Sequence, residues 1–293
     1  MSDGAWRFGL LGHPVQHSLS PVLHEAALAS TGQHGTYTLV DCLTADLDSA
    51  VERLREGSFD GLNVTLPHKE ALVPLVDHLE GAALAIGAIN TVLCTPEGRV
   101  EGHNTDVPGL IMALETRWPE TPWKWLPVTI IGAGGAARAA VLAADRLGAG
   151  EIRITNRTQA RAERVVSELQ GTCRAPLMSC SMELAVKDAA LVVQATSVGM
   201  SWRPGHPEWA IHRQRTADAL RHARPGASCF DMVYRPRTTA WMEGAVAAGH
   251  EAEDGLGMLV SQAAASFLLW TGVGPDREVM RTAVSAALVQ RSK

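Results

Sequence analysis

Apolar residues fall in two alternating rhythms along this chain. Short, often β-branched runs alternate with longer stretches whose apolar positions recur three and four apart. The first pattern is that of strands and the second that of helices. Trp6 to Leu11 predicts a strand ending at Gly12. A helix follows to about Ser30, with Ser20 as N-cap and Pro21 as first helical residue. Thr36 to Cys42 reads as a second strand. Ala45 to Glu56 reads as an amphipathic helix with Leu47, Val51 and Leu54 on one face. In Leu62 to Leu66 the polar Asn63 and Thr65 alternate with apolar neighbours, which predicts a strand carrying both on one face. Pro67 then opens a helix. Ile86 to Leu93, the turn Pro96-Glu-Gly98 and Arg99 to His103 predict a hairpin. Asp106 caps, or sits just inside, a helix that runs to about Trp118.

A proline- and tryptophan-bearing connector, Pro119 to Pro127, leads into a second series. Val128 to Ile131 is an apolar run entering a glycine cluster, and Ala136 to Leu147 is an alanine-rich helix. The sequence reads Gly132-Ala133-Gly134-Gly135-Ala136-Ala137, so Gly132, Gly134 and Ala137 fit G-x-G-x-x-[GA]. In a strand–turn–helix the first glycine permits the turn and the second admits a pyrophosphate. The small third residue lets helix pack on strand, and the phosphates meet free N–H groups at the helix start. An ordinary strand–helix connection has the same look. The next strand, Glu151 to Thr155, helps to decide. A fold that binds NAD places an acid roughly 20 residues on, for the ribose hydroxyls. Here stand Asn156-Arg157-Thr158, with Arg161 one turn later. Guanidinium groups bind a 2′-phosphate that a carboxylate would repel, so the reading is NADP. Plain solvation of Arg157 and Arg161 at a helix start is the alternative.

Ala189 to Gln194 and Ala227 to Val233 are further buried strands. Thr196 and Ser197 follow the first of them, either as ligand-facing residues at a strand's C-terminal end or as plain loop. Met200 to Pro207 reads as a mobile loop. Gly255 and Gly257 open a helix from Met258 to about Trp270, on which helical spacing lets Gln262 point into a cleft. Asp276 to Gln290 is the last helix. The fold class is therefore α/β.

With 293 residues, the chain is long enough for two domains. Hydrophobic content of 46% and charge of 19% are those of a soluble globular protein. A net charge of −5 and the lack of a basic run argue against nucleic acid. No apolar run approaches the ~20 residues of a membrane span, and no signal peptide is evident. The five cysteines (Cys42, Cys94, Cys173, Cys180 and Cys229) have no ligand spacing. Their odd number fits a reducing cytoplasm, and no metal is expected. His13, His24, His68 and His103 read as surface or satisfied histidines.

Two stretches carry candidate chemistry. Ser18 and Ser20, two hydroxyls at a helix N-terminus, make a small anion site suited to a carboxylate. Lys69 lies in the first turn of a helix, where the dipole disfavours a cation. The chain's other lysines are Lys124, Lys187 and Lys293. A lysine loses its proton when desolvated, as arginine does not, so Lys69 is a candidate proton donor; a surface lysine is the plainer reading.

Together these stretches resemble the shikimate/quinate dehydrogenase family, nearly end to end. The motifs are His17-Ser-Leu-Ser-Pro21, Asn63-Val-Thr-Leu-Pro-His-Lys69, Gly87-Ala-Ile-Asn-Thr91, Asn104-Thr-Asp106, the glycine cluster, Asn156-Arg-Thr158, Ala195-Thr-Ser-Val-Gly199, Asp231-Met-Val-Tyr234 and Asp254-Gly-Leu-Gly-Met-Leu-Val-Ser-Gln262. The resemblance implies an α/β substrate-binding and catalytic domain, residues 1–106 plus 257–293. It also implies a Rossmann-type doubly wound NADP-binding domain, residues 107–256, with the active-site cleft between them. It implies reversible NADPH-dependent reduction of 3-dehydroshikimate to shikimate, on the route to chorismate and the aromatic amino acids. Lys69 and Asp106 would be the catalytic pair. Ser18 and Ser20 would hold the substrate carboxylate. Asn63, Thr65, Asn90, Asp106 and Gln262 would hold its hydroxyls, with Tyr234 nearby. Gly132, Ala133, Gly134, Gly135, Ala136, Asn156, Arg157, Thr158, Arg161, Thr196, Met232 and Gly255 would line the cofactor site, with Met232 against the nicotinamide. A monomer or homodimer is expected.

Two departures from the family pattern occur. Val107-Pro108 follow Asp106 where glycine is common, and His13 precedes Pro14 where Asn is frequent. A quinate, quinate/shikimate or aminoshikimate dehydrogenase is the alternative within the family, which Asn156 and Ser20 speak against. A catalytically silent NADP-binding regulator is the alternative outside enzymes, and it would be expected to lack Lys69 or Asp106.

Overall fold

The computed structural model describes residues 4–290. The chain divides into two compact units, Met1–Gly109 with Val260–Lys293, and Leu110–Leu259. Each has its own six-stranded sheet.

The first unit begins with β1 (Ala5–Gly12), α1 (Ser20–Thr31) and β2 (His34–Asp41). Then come α2 (Leu47–Arg55), β3 (Gly61–Val64), α3 (His68–Ala71), β4 (His78–Leu79), α4 (Ala82–Ile86), β5 (Thr91–Cys94) and β6 (Val100–His103). The helix α5 (Asp106–Arg117) leads out of it. The strand order is β2-β1-β3-β5-β6-β4. β1 pairs in parallel with β2 and β3, whereas β3, β5 and β6 form an antiparallel run. Successive strand residues face opposite sides. Thus Leu11 enters a core with Leu47, Leu54, Leu62 and Ile89, and Phe8 stacks on Trp270 at 4.6 Å between centroids.

The expected strand Leu62 to Leu66 is shorter than its alternation suggests. β3 ends at Val64, and all four of its residues are buried. A central strand covered on both faces has no solvent side, so its polar Asn63 is a buried group and not an exposed one. Leu66, placed on the apolar face by the pattern, is 74% exposed. It lies in a tight turn closed by the His68 N–H donating to the Thr65 carbonyl.

The second unit has the order β12-β11-β10-β7-β8-β9, all parallel. Its elements are β7 (Pro127–Ile131), α6 (Gly135–Arg146), β8 (Glu151–Thr155), α7 (Gln159–Leu169), β9 (Leu177–Ser179), α8 (Met182–Val186), β10 (Leu191–Gln194), α9 (Pro207–Leu220), β11 (Ser228–Asp231), α10 (Ala240–Ala247) and β12 (Glu251–Glu253). This is the doubly wound arrangement, with the order reversing between β7 and β10. The alanine run of α6 is buried from Ala139 to Ala144, because small side chains let a helix lie close on a parallel sheet. α11 (Leu256–Thr271) and α12 (Arg277–Gln290) complete the chain, and α12 packs on α1 within the first unit.

Asp231 closes β11 and is fully buried. Its carboxylate accepts from the Val233 N–H at 3.0 Å and the Thr239 hydroxyl at 2.6 Å. Burial raises its pKa from 3.8 to about 7, against those two hydrogen bonds. A carboxyl with a folded-state pKa above its unfolded value holds its proton longer when native. Its contribution to stability is therefore present at low pH and lost as pH rises toward 7. Asp231→Asn removes this titration and keeps an acceptor oxygen for both donors. The melting temperature of the natural protein should fall relative to that of the Asn variant between about pH 4 and pH 7. Parallel curves of melting temperature against pH would show that Asp231 is ionised throughout.

Candidate active site and cofactor-binding loop

Lys69 and Asp106 meet in the first unit. Lys69 Nζ lies 2.6 Å from Asp106 Oδ2, and the two side chains are 26% and 12% exposed. The second Asp106 oxygen, Oδ1, accepts from Asn90 Nδ2 at 2.9 Å. Each partner is held from behind. His68, fully buried, donates its Nε2–H to the Cys42 carbonyl at 2.7 Å, so the start of α3 is anchored and its neighbour Lys69 projects elsewhere. The Lys69 carbonyl accepts from the Ile89 N–H. Asp106 is the first residue of α5, inside the helix, and its N–H donates to Asn104 Oδ1. Asn104 Nδ2 in turn donates to the Ala88 carbonyl. An acid in a first helical turn is favoured by the dipole, and a carboxylate buried to this degree needs a cation or hydrogen-bond donors.

Asn90 is engaged at both ends. Its Oδ1 accepts from the Thr105 N–H at 2.7 Å and from the Thr91 hydroxyl at 3.1 Å, and its Nδ2 also donates to Thr105 Oγ1. Asn63 is equally enclosed, with Oδ1 taking the Tyr37 hydroxyl at 2.8 Å. Tyr37 is buried, and burial pushes its pKa up, against the Ser20 hydroxyl beside it. Ser20 is not the N-cap that its sequence position suggests. α1 has Leu19 at that position and no side-chain cap, with Ser20 and Pro21 as its first two residues. Proline fits either position, since neither N–H has an intrahelical partner. Ser18 and Ser20 are directly linked, Ser18 Oγ accepting the Ser20 N–H and bonding the Ser20 hydroxyl, each at 3.1 Å. Thr65 is half-buried just beyond β3, and Gln262 is half-buried on α11. Tyr234 belongs to the second unit, after β11.

The histidines flagged in the sequence are placed differently from one another. His24 is fully buried and stacks on Tyr37 at 4.4 Å, with burial lowering its pKa to about 3. His13 is exposed, 2.6 Å from Asp41 Oδ1 through its Nδ1. Among the described residues no group of three or more His, Cys, Asp or Glu is arranged to hold a metal.

Four buried hydroxyls of this network, Ser266 among them through Asn63 and Thr91, were not singled out as functional by residue type: Tyr37, Thr91, Thr105 and Ser266. The signals were weak but present. Ser266 stands one helical turn after Gln262, Thr91 follows Asn90, and Tyr37 is one of two tyrosines in the chain.

The cofactor candidates gather in the second unit, at the C-terminal ends of its strands. Gly132 follows β7 with φ +128° and is packed so that a Cβ would lie 3.0 Å from the Ala195 carbonyl and 3.2 Å from Thr196 Cγ2. Gly132 and Thr196 thus touch where the strand order reverses, between β7 and β10. A Cβ at Gly134 or Gly135 would meet nothing within 4 Å. Gly134 caps α6 without a side-chain hydrogen bond, and the first turn has no acid, so its N–H groups are open to an anion. Asn156 donates through Nδ2 to the Thr158 carbonyl and so shapes the turn bearing exposed Arg157; Arg161 is exposed on α7. The Met232 N–H donates to the Gln194 carbonyl. Gly255 lies against it, where a Cβ would come within 2.2 Å of the Met232 carbonyl; packing alone requires glycine there. These features fit a dinucleotide phosphate.

Comparison with known proteins covers both units. A model described as the shikimate dehydrogenase substrate binding domain matches residues 10–92. One for shikimate / quinate 5-dehydrogenase matches 120–232, and one for the shikimate 5′-dehydrogenase C-terminal domain matches 255–284. The chain is 38% identical to a shikimate dehydrogenase (NADP(+)) of Moorella thermoacetica, over 95% of this chain and 93% of the relative. Among solved structures, it resembles the shikimate 5-dehydrogenase of Thermus thermophilus in complex with NADP(H) and shikimate. Identity there is 38%, the TM-score is 0.82, and 96% of this chain and 99% of that one are covered. It also resembles a quinate dehydrogenase of Corynebacterium glutamicum in complex with NAD, at 28% identity and TM-score 0.81, covering 96% and 99%. A resemblance that spans both units, at 38% identity over 95% of the chain, makes this chain a member of the shikimate dehydrogenase family.

Proposed function

We propose that the protein catalyses the reversible, NADPH-dependent reduction of 3-dehydroshikimate to shikimate, in the route to chorismate and the aromatic amino acids. The observation that carries this reading is the 2.6 Å contact between Lys69 Nζ and Asp106 Oδ2, in a chain of this family. A silent NADP-binding regulator would have no need of that pair.

Bound NADPH supplies a hydride to the ketone carbon. The developing alkoxide then needs a proton and a nearby positive charge. The Lys69 ammonium provides both, a contribution of about 10²–10⁴-fold for such a group. Asp106 orients the ammonium through one oxygen, while Asn90 fixes the other. In the oxidation direction neutral Lys69 takes the hydroxyl proton, and Asp106 steadies the ammonium that forms. Ser18 and Ser20 bind the substrate carboxylate. Asn63, Thr65, Asn90, Asp106 and Gln262 hold its hydroxyls. Asn90 already has donors and acceptors on both ends of its amide, so its share is chiefly to position Asp106. The loop Gly132 to Ala136 receives the pyrophosphate at the start of α6. Asn156, Arg157, Thr158 and Arg161 receive the adenosine end with its 2′-phosphate, and Thr196, Met232 and Gly255 border the nicotinamide end. Among the described residues no helix is long and apolar enough to cross a membrane. The five unpaired cysteines suit a reducing compartment, and we place the protein in the cytoplasm as a monomer or homodimer.

Initial rates with shikimate or quinate, each with NADP or NAD, test this reading. Turnover with shikimate and NADP, and at least tenfold less with the other pairs, is expected. Preferred turnover of quinate with NAD would move the protein to the quinate branch of the family. Lys69→Ala should lower kcat at least ~100-fold while shikimate still binds; near-normal turnover would remove Lys69 from the chemistry. Arg157→Ala should raise the KM for NADP several-fold more than that for NAD, since only NADP carries the phosphate that arginine holds. Equal losses for the two would sink the 2′-phosphate assignment.

A further inference from the structure

Behind the candidate site lies a closed network of buried polar groups centred on Ser266. This residue is fully buried on α11. Its Oγ lies 2.9 Å from Asn63 Nδ2, 2.8 Å from Thr91 Oγ1, 3.1 Å from Thr105 Oγ1 and 3.1 Å from the Gln262 carbonyl of its own helix. It joins four separate stretches of the first unit: β3, β5, the residue before α5, and α11.

The network settles which way the Asn63 amide points. One atom of that amide lies 3.2 Å from the Asn90 backbone carbonyl. A carbonyl oxygen only accepts, so the amide atom facing it is the nitrogen. The same nitrogen reaches Ser266 and Thr91 Oγ1. Both of its hydrogens therefore point inward. Oδ1 is left on the other side, where Tyr37 donates to it at 2.8 Å.

We propose that Ser266 is a positioning residue that locks Asn63 with its nitrogen inward, so that Asn63 meets a ligand only as an acceptor and selects a hydroxyl in preference to a carbonyl or carboxylate at that point. This deepens the proposed shikimate activity and rests on it for the identity of the ligand. The same hydroxyl supports Thr91 and Thr105, which hold Asn90 and through it Asp106. Its first effect is on substrate binding, because Asn63 bonds it directly, whereas Asp106 is two residues removed.

Ser266→Ala deletes one hydroxyl from a small buried site and leaves the carbon skeleton in place. With shikimate and NADP it should raise the KM for shikimate about fivefold, because Asn63 Nδ2 loses the shortest of its three contacts and keeps only the longer ones to the Asn90 carbonyl and Thr91 Oγ1, with kcat within about threefold. In Asn63→Ala the added change Ser266→Ala should alter that KM less than about twofold, since residues acting through one contact are not additive. A Ser266→Ala KM within twofold of the natural protein, or losses that multiply in the double variant, would overturn the proposal. A second test needs no activity. Asn63→Asp sets a carboxylate oxygen against the Asn90 carbonyl, so at pH 8 it should unfold at a lower temperature than Asn63→Ala. If the aspartate variant were the more stable, the amide would be turned the other way and the proposal would fail. Inactivity of the natural protein toward shikimate, with the aspartate variant still the less stable, would overturn the substrate assignment and leave the locked amide standing.

Discussion

Much of the first unit serves to keep one carboxylate in one place. Asp106 is almost fully buried and an ionised carboxyl out of water needs its charge answered. Lys69 answers it on one oxygen and Asn90 on the other. Those partners come from different elements, α3 and the residue before β5, so neither is aligned by sequence proximity. His68 anchors one from the Cys42 carbonyl, and Thr91 and Thr105 anchor the other. Removing one member of such a set leaves the others short of a partner. A buried donor or acceptor left unmatched costs about 1–3 kcal/mol, so the network is strongly biased toward a single arrangement.

The second unit solves a different problem with different means. An anionic dinucleotide asks for backbone N–H groups and room, and few side chains. The all-parallel order brings the C-terminal ends of β7 and β10 together at the reversal point. There Gly132 takes a left-handed conformation against Ala195 and Thr196. Gly134 and Gly135 leave the start of α6 uncovered. Gly255 is small for another reason, contact with the Met232 carbonyl. Asp231 is the exception to this backbone-led design. It joins β11 to α10 through Thr239, with its charge opposed by burial.

Local patterns were read well where one physical cause dominates. The strand Glu151–Thr155 falls where its β-branched run predicts, and α6 starts at the glycine cluster. Reading failed where burial overrode periodicity. In β3 the alternation predicted a strand through Leu66 with Asn63 and Thr65 on one face, yet the strand is buried throughout and stops before Thr65. Ser20 looks like a cap and is instead the first helical residue, with Ser18 bonding its N–H.

By itself the sequence determined the strand–helix order, the glycine turn that leaves backbone amides open, the absence of an acid beside Arg157, and the family. All of these depend on residue type and short-range spacing, and short-range spacing survives in one dimension. Only the tertiary structure decided that Lys69 and Asp106 are in hydrogen-bond contact, that Asn90 is enclosed on both sides, and that Tyr37 and Ser266 stand behind Asn63. Hydrogen bonds act over about 3 Å, and Asn63 and Ser266 are brought within that range only when α11 returns to the sheet.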